Sequence, residues 1–290
     1  MKRVLITGAT GNIGSEVIHF LFEKGSNNEI IAGVRDIEKA KKQFNKFTAL
    51  SYTTFDFKKK NTYAQALSNT DCLFLLRPPN ISDVKKYIRP LIEEARKKDV
   101  KEIVFLSVQG AEKSKIIPHN KIEKLIKEYD INHIFIRPSY FMQNLTTTLF
   151  DDIHKKGKII LPAGKAKFNW IDAKDIGEVS AIFIEEFEKH KNIAYEITGY
   201  ENKNFYEVAE IMTQTLKRNI EYKRVNPFRF YRIKRKDNIP GGLIMVMIFL
   251  HFLPRFQKKP KISHIYEKLT GKKPGTLIRF VKRERNLFNN

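Results

Sequence analysis

The sequence predicts an α/β protein, a doubly wound parallel sheet carrying a smaller, mainly helical C-terminal lobe. Three observations predict it. A short apolar strand, Val4 to Thr7, runs into three glycines spaced three apart and then into a helical pattern. Apolar strand runs alternate with amphipathic helical runs as far as residue 138, as parallel strands joined by crossover helices do. Beyond residue 140 the alternation loosens, and residues 220–290 read as short helical pieces broken by Pro227, Pro240, Pro254, Pro260 and Pro274.

The opening stretch, MKRVLITGATGNIGSE, organises the rest. Ile13, Val17 and Leu21 keep the following helix apolar on one face. Strand, glycine turn and helix together form the Rossmann-type arrangement that a dinucleotide pyrophosphate requires. Gly8 allows a tight turn, Gly11 lets the backbone approach the phosphates, and Gly14 lets the helix pack closely on the sheet. Thr10, Asn12 and Ile13 belong to the same loop. Free amides at Asn12, Ile13 and their neighbours are expected to point at the anion, reinforced by the helix dipole.

The second strand, EIIAGVR (29–35), ends where an acidic residue would bond the ribose hydroxyls of NAD and repel a 2′-phosphate. Arg35 stands there instead, suited to a bidentate contact with that phosphate. NADPH is the expected cofactor, with NAD possible because Asp36 follows. The third strand, ALSYTTFDF, should bring Asp56 and Phe57 to the carboxyl edge of the sheet, where an adenine would lie. Residues 60–68 read as a helix, and DCLFLL (71–76) as the fourth strand, ending in the rigid Arg77-Pro78-Pro79 turn. Helical periodicity over 81–100 is expected to be disturbed at Pro90. EIVFLS (102–107) is the fifth strand, NKIEKLIKEY (120–129) an amphipathic helix and HIFIRP (133–138) the sixth strand. Ligands lie outside the carboxyl ends of such a sheet, which places Arg77, Ser107 and the segment after Arg137 near them.

Further on, residues 168–187 read as a strand turning into a helix with Asp172 as its cap, 194–199 as a strand and 205–216 as a helix. The expected division is a dinucleotide-binding domain over 1–145, with 166–199 returning to it, and a substrate-side lobe over 200–290 with 146–165. That lobe should close one side of the cleft. It contains GGLIMVMIFLHFLP (241–254), whose nearly unbroken apolar run is too short to cross a bilayer. Three readings fit this run: a helix packed in the lobe, a wall of the substrate pocket, and an interfacial helix flanked by basic residues.

The net charge of +22 is concentrated late. Residues 217–290 carry twenty Lys/Arg against four Asp/Glu, whereas residues 1–216 carry thirty-four against twenty-eight. An acidic membrane surface, nucleic acid or an anionic substrate could each answer that charge. A solvated basic surface is the simpler reading, and no nucleic-acid partner is expected. The lone Cys72, in an apolar run, excludes internal disulfides and reads as a buried thiol. With no apparent signal peptide or membrane span, a cytoplasmic location is expected.

Taken together, TGATGNIG (7–14), VRDIEKA (34–40), RPSYFMQN (137–144), NWIDAKDIGEV (169–179), YEITG (195–199) and EKLTGKKPGTLIRFV (267–281) make a specific ordered set. The chain resembles the NmrA-like branch of the atypical short-chain dehydrogenase/reductases, close to bacterial NAD(P)H:quinone oxidoreductases. The resemblance implies that the glycine loop holds the pyrophosphate and Arg35 the adenosine phosphate. It also places Leu76-Arg77-Pro78, Ser107-Val108-Gln109 and Ser139-Tyr140-Phe141 around the nicotinamide.

Typical members of the wider superfamily that it resembles carry a Tyr-x-x-x-Lys pair, whose tyrosine protonates the substrate oxygen while the lysine lowers the tyrosine's pKa and holds the nicotinamide ribose. Here the matching positions hold His119 and Glu123, a replacement shared with the quinone-reductase relatives. A carboxylate cannot do the lysine's electrostatic work, so ordinary ketone or alcohol chemistry is not expected. A quinone accepts hydride readily and mainly needs stacking against the nicotinamide. His119 is the candidate proton donor, because imidazole titrates near neutral pH, and Tyr140 is the second candidate. Glu123 reads as structural, and His133 and His154 as surface histidines; no metal-ligand spacing is present.

Two functions compete. One is an NADPH-dependent reductase passing hydride, without flavin, to a quinone or other flat, hydrophobic electrophile. The other is a non-catalytic dinucleotide sensor acting through a protein partner. A monomer or homodimer fits either.

Overall fold

A computed structural model of the chain describes residues 1–114 and 117–289. Two compact units emerge: residues 1–138 with 173–197 and 268–271, and residues 139–172 with 198–267 and 272–290. Segments 139–145, 166–172 and 198–199, expected with the first unit, fall in the second. The physical reason is pairing: Tyr140–Phe141 and Phe168–Ile171 bond to each other and not to the large sheet.

The first unit is built on seven parallel strands: β1 (Arg3–Thr7), β2 (Glu29–Val34), β3 (Ser51–Thr54), β4 (Cys72–Leu75), β5 (Glu102–Leu106), β6 (Asn132–Pro138) and a last strand, Ile193–Ile197. From one edge the order is last strand, β6, β5, β4, β1, β2, β3. β1 therefore lies between β2 and β4, with Val4 opposite both Ile30 and Cys72. The chain winds away from β1 in both directions, and that switch point is where an open α/β sheet binds ligands. Every residue of β4 and β5 is buried, as expected of strands covered on both faces. Cys72 is completely buried, and burial pushes its thiol pKa well up.

Helices α1 (Asn12–Glu23), α2 (Ile37–Gln43), α3 (Tyr63–Ala66), α4 (Arg89–Lys97) and α5 (Pro118–Glu128) supply the crossovers. On one face Leu91, Ile92, Ile122, Leu125 and Ile126 pack against Leu73, Leu75, Ile103 and Phe105. On the other, α1 crosses the helix Ala173–Glu185 at Gly177, where a Cβ would stand 2.4 Å from that of Glu16. Val17, Ile18 and Leu21 are fully buried there, each contributing about 2 kcal/mol of transfer free energy. Pro90 acts as expected: a π-helical turn over Val84–Ile88 precedes α4, and the proline sits in the first turn of α4, where its missing N–H has no intrahelical partner to lose.

His133 is not a surface residue. It is buried at the start of β6, with Nδ1 3.0 Å from the Ile131 carbonyl and its ring stacked on Phe135 at 4.3 Å. Burial lowers its pKa.

In the second unit, Phe168–Ile171 is flanked by Tyr140–Phe141 in parallel and Asn202–Lys203 in antiparallel register. A separate parallel pair joins Lys158–Leu161 to Glu221–Arg224, the latter a strand where the sequence predicts helix. Trp170, Phe205, Phe230 and Phe280 fill the core. The buried Lys234 ammonium lies 2.6 Å from the buried Asp152 carboxylate. His154, expected on the surface, is half-buried and stacks on Phe150 at 5.1 Å. Among the described residues, no helix is long and apolar enough to cross a membrane.

Candidate cofactor and active site

The glycine loop leaves β1 through Thr7, whose hydroxyl accepts the Leu76 N–H at 2.9 Å and lies 3.1 Å from the Phe74 carbonyl. This clip ties the end of β1 to the tail of β4. Gly8 then turns with φ +63°, and a Cβ there would lie 2.8 Å from the Leu76 side chain. Gly11 donates to the Gly8 carbonyl at 3.0 Å and begins α1 in extended conformation, with no side chain capping the helix. The first helical amides are thus left to an external acceptor. Gly14 brings helix onto strand so closely that a Cβ would stand 2.3 Å from the Gly8 oxygen. Thr10 and Asn12 are exposed, whereas Ile13 is buried against the sheet, so its amide alone remains for a ligand. Uncapped amides, exposed small residues and no room for added carbon atoms fit a dinucleotide diphosphate.

Arg35 is exposed directly after β2 and has no ion pair among the described residues. Asp36, the residue that argued for NAD, has turned to its own helix: its carboxylate accepts the Lys39 N–H at 3.0 Å and caps α2. At the end of β3, Asp56 is half-buried, and its carboxylate accepts the Lys58 N–H at 2.9 Å. Phe57, expected beside an adenine, is buried in the core near Phe55, and its carbonyl accepts the Tyr63 hydroxyl.

At the next strand tips the expected residues are largely committed to one another. Leu76 packs on Gly8. Arg77 curls back, one terminal nitrogen donating to the carbonyls of Pro78 and Ile81 at 2.8 Å and the other lying 3.4 Å from His119 Nε2. Burial lowers its pKa, and among the described residues its enclosed Nε has no hydrogen-bond partner. The guanidinium can only donate, so Nε2 of His119 accepts and the imidazole proton lies on Nδ1. The His119 ring also stacks on Phe105. Burial, and then the Arg77 charge, bring its pKa down to about 3. His119 is therefore neutral near pH 7, and the expectation that it titrates there is corrected.

Ser107 is buried, and its hydroxyl donates to Glu123 at 2.6 Å. Val108 is half-buried beside it, its carbonyl accepting the Ala111 N–H. Arg137 donates to the same Glu123 oxygen through Nε at 3.0 Å and to the other through a terminal nitrogen at 2.7 Å, and reaches Glu112 at 2.9 Å. The Glu123 carboxylate is thus fully engaged by Ser107 and Arg137. Ser107, Glu123 and Arg137 form a closed hydrogen-bonded network, and His119 is held neutral by its surroundings.

Tyr140 belongs to the second unit. Its hydroxyl bonds His251 Nε2 at 2.8 Å, and its ring meets Phe168, Trp170 and Phe205. His251 holds its own proton on Nδ1, toward the Met247 carbonyl at 2.6 Å. Burial raises the Tyr140 pKa and lowers that of His251 to about 4. The phenol expected as a proton donor is engaged in the core of its unit.

Sequence reasoning missed Thr7, Arg137 and His251. The first two carried a signal: a hydroxyl closing an apolar strand, and an arginine within HIFIRP. His251 carried little, being one polar residue in an apolar run.

The sheet, its switch point and the uncapped glycine loop define a Rossmann-type, dinucleotide-binding class of protein. Residues 1–271 match the NmrA-like family, and the chain belongs to it. It is 28% identical over 280 residues to prestalk A differentiation protein A of Dictyostelium discoideum, covering 96% of this chain and 91% of that one. It is 27% identical over 285 residues to an NAD(P)H azoreductase of Xenophilus azovorans, covering 96% of each. Among solved structures, the Escherichia coli NADPH-dependent quinone oxidoreductase QOR2 complexed with NADPH superposes with TM-score 0.85 at 22% identity, over 97% of this chain and 99% of that one. The negative transcriptional regulator NmrA in complex with NAD superposes with TM-score 0.76 at 13% identity, over 99% and 96%.

Proposed function

We propose that this chain is an NAD(P)H-dependent oxidoreductase, preferring NADPH, that reduces a quinone or another flat electrophile by direct hydride transfer without flavin. Membership of the NmrA-like family, with likeness to a named NAD(P)H azoreductase and to quinone oxidoreductase 2 of Escherichia coli, supports the reaction class. The observation that carries the acceptor class is the state of residues 119 and 123. Where a carbonyl reductase needs an acid of tuned pKa, this chain has an imidazole with a pKa of about 3 and a carboxylate held by Ser107 and Arg137. Neither side chain holds a readily transferred proton at neutral pH, which supports an acceptor that takes hydride first and collects its proton from water.

The bound dinucleotide supplies the hydride. The amides of Asn12 and Ile13 would hold its pyrophosphate and Arg35 its 2′-phosphate, with Asp56 near the adenosine. Thr7 and Leu76 keep the glycine loop fixed against β4. Neutral His119, oriented by Arg77 on Nε2, offers its Nδ1 proton as a hydrogen bond that can orient an acceptor oxygen.

Mixing the protein with NADPH and a panel of quinones, azo dyes and simple ketones, while following nicotinamide absorbance, tests the proposal. Turnover with quinones or azo dyes and none with ketones is the expected result. Tight NADPH binding with no acceptor reduced would instead establish the sensor. His119→Ala should lower kcat about fivefold, the worth of one neutral hydrogen bond of ~1 kcal/mol, with NADPH affinity unchanged. Equal turnover would remove His119 from the reaction. Arg35→Glu should reverse the preference from NADPH to NADH; an unchanged affinity ratio would sink the phosphate assignment.

A further inference from the structure

We propose that the second unit docks on an anionic lipid surface through the helix Gly241–Phe252 and the basic segment that follows it. The helix splits its apolar residues between two faces. Ile244, Met247, Ile248 and His251 are buried in the core of the unit, at the spacing of one helical face. On the opposite side Val246, Phe249 and Leu253 form a stripe continued by Phe256, with exposures of 60%, 54%, 45% and 73%. Leu243 and Leu250 widen it. A contiguous exposed apolar stripe of this kind marks an interaction site.

The charges around the stripe indicate what covers it. The Arg255 guanidinium lies 4.9 Å from the Phe252 ring and 5.9 Å from that of Phe256, so a cation sits on the stripe itself. Arg255 also lines a cleft of about 440 Å³ together with Lys165, Lys167, Arg224, Lys258 and Lys259. Among the described residues, only Lys167 of these six has a carboxylate partner, Glu207 at 3.5 Å. The neighbouring helix Pro227–Lys236 adds exposed Arg229, Arg232, Arg235 and Lys236, and an exposed Phe228 beneath Arg232. Apolar side chains beside unpaired cations are the composition of an interfacial helix, which buries its greasy face at the acyl boundary while the cations meet anionic headgroups. Twelve residues are too few to span a bilayer but enough to lie in its surface. A second copy would set cation against cation across a two-fold axis, and nucleic acid would leave the apolar stripe unanswered.

Flotation of the 290-residue chain with vesicles tests this without any turnover assay, so the outcome is separable from that of the proposed reaction. Vesicles of phosphatidylcholine with about one third phosphatidylglycerol should bind the protein at least tenfold better than phosphatidylcholine alone, and salt should weaken the binding. Phe249→Glu/Leu253→Glu, at exposed positions, should abolish partitioning with an unchanged circular dichroism spectrum. Lys258→Glu/Lys259→Glu should reduce it about tenfold or more. Three results would overturn the proposal. One is equal or absent binding to both vesicles, and another is wild-type partitioning by the Phe249→Glu/Leu253→Glu protein. The third is retention on DNA, or a dimer dissociated by Phe249→Glu/Leu253→Glu, in place of vesicle binding.

Discussion

Replacing Gly14 with alanine should weaken NADPH binding about a hundredfold. The added Cβ would lie 2.3 Å from the Gly8 carbonyl oxygen and 2.8 Å from the Ala9 Cα. Both are backbone atoms, so no side chain can rotate out of the way, and the loop must retreat from the helix. Overpacking of this kind costs up to about 3 kcal/mol, or roughly two decades of affinity, because the amides of Asn12 and Ile13 move with the loop. Gly242→Ala is the control: it has an ordinary backbone conformation and nothing within 4 Å of its Cβ position. Titration calorimetry on both variants decides the matter. Near-native affinity in Gly14→Ala would mean that the loop does not position the diphosphate.

Acidification from pH 7 to pH 5 should lower folding stability by about 4 kcal/mol through two imidazoles. Burial, and for His119 the Arg77 charge as well, hold the folded-state pKa of His119 at about 3 and that of His251 at about 4. The unfolded chain takes up these protons near pH 6.5. Each histidine therefore contributes its stability fully above that pH and loses it as pH falls toward the folded value, at about 1.4 kcal/mol per pH unit. At pH 5 that is about 2 kcal/mol for each, and His133 and His190, also shifted down, act in the same direction. Urea unfolding at pH 7.5 and pH 5 measures the effect. His119→Gln, which can still accept from Arg77, should remove about half of it. A pH-independent midpoint would contradict the buried neutral state of both rings.

What the sequence could convey depended on how far apart the interacting residues lie. The strand, glycine turn and first helix are one local run, so their geometry is written in spacing alone. Phe205–Leu216 was legible to the residue because its apolar period is strong and Asn204 and Glu207 make a capping box at its start. The state of His119 was not legible, because the guanidinium beside it is 42 residues away. The same holds for Glu123, engaged by Ser107 just past β5 and by Arg137 in β6, and for Tyr140, which meets His251 across 111 residues. In 241–254 nearly every residue is apolar, so no period distinguishes the buried face from the exposed one. Only the fold separates Ile244 and Met247 from Val246 and Phe249. His133 misled for the opposite reason: a polar residue opening a strand reads as exposed until aromatic stacking on Phe135 encloses it.

The most direct measurement is calorimetric titration of the unmodified protein with NADPH and, separately, NADH. One equivalent of NADPH should bind, more tightly than NADH, through the first-helix amides and Arg35. Failure to take up either nucleotide would contradict the account at its root.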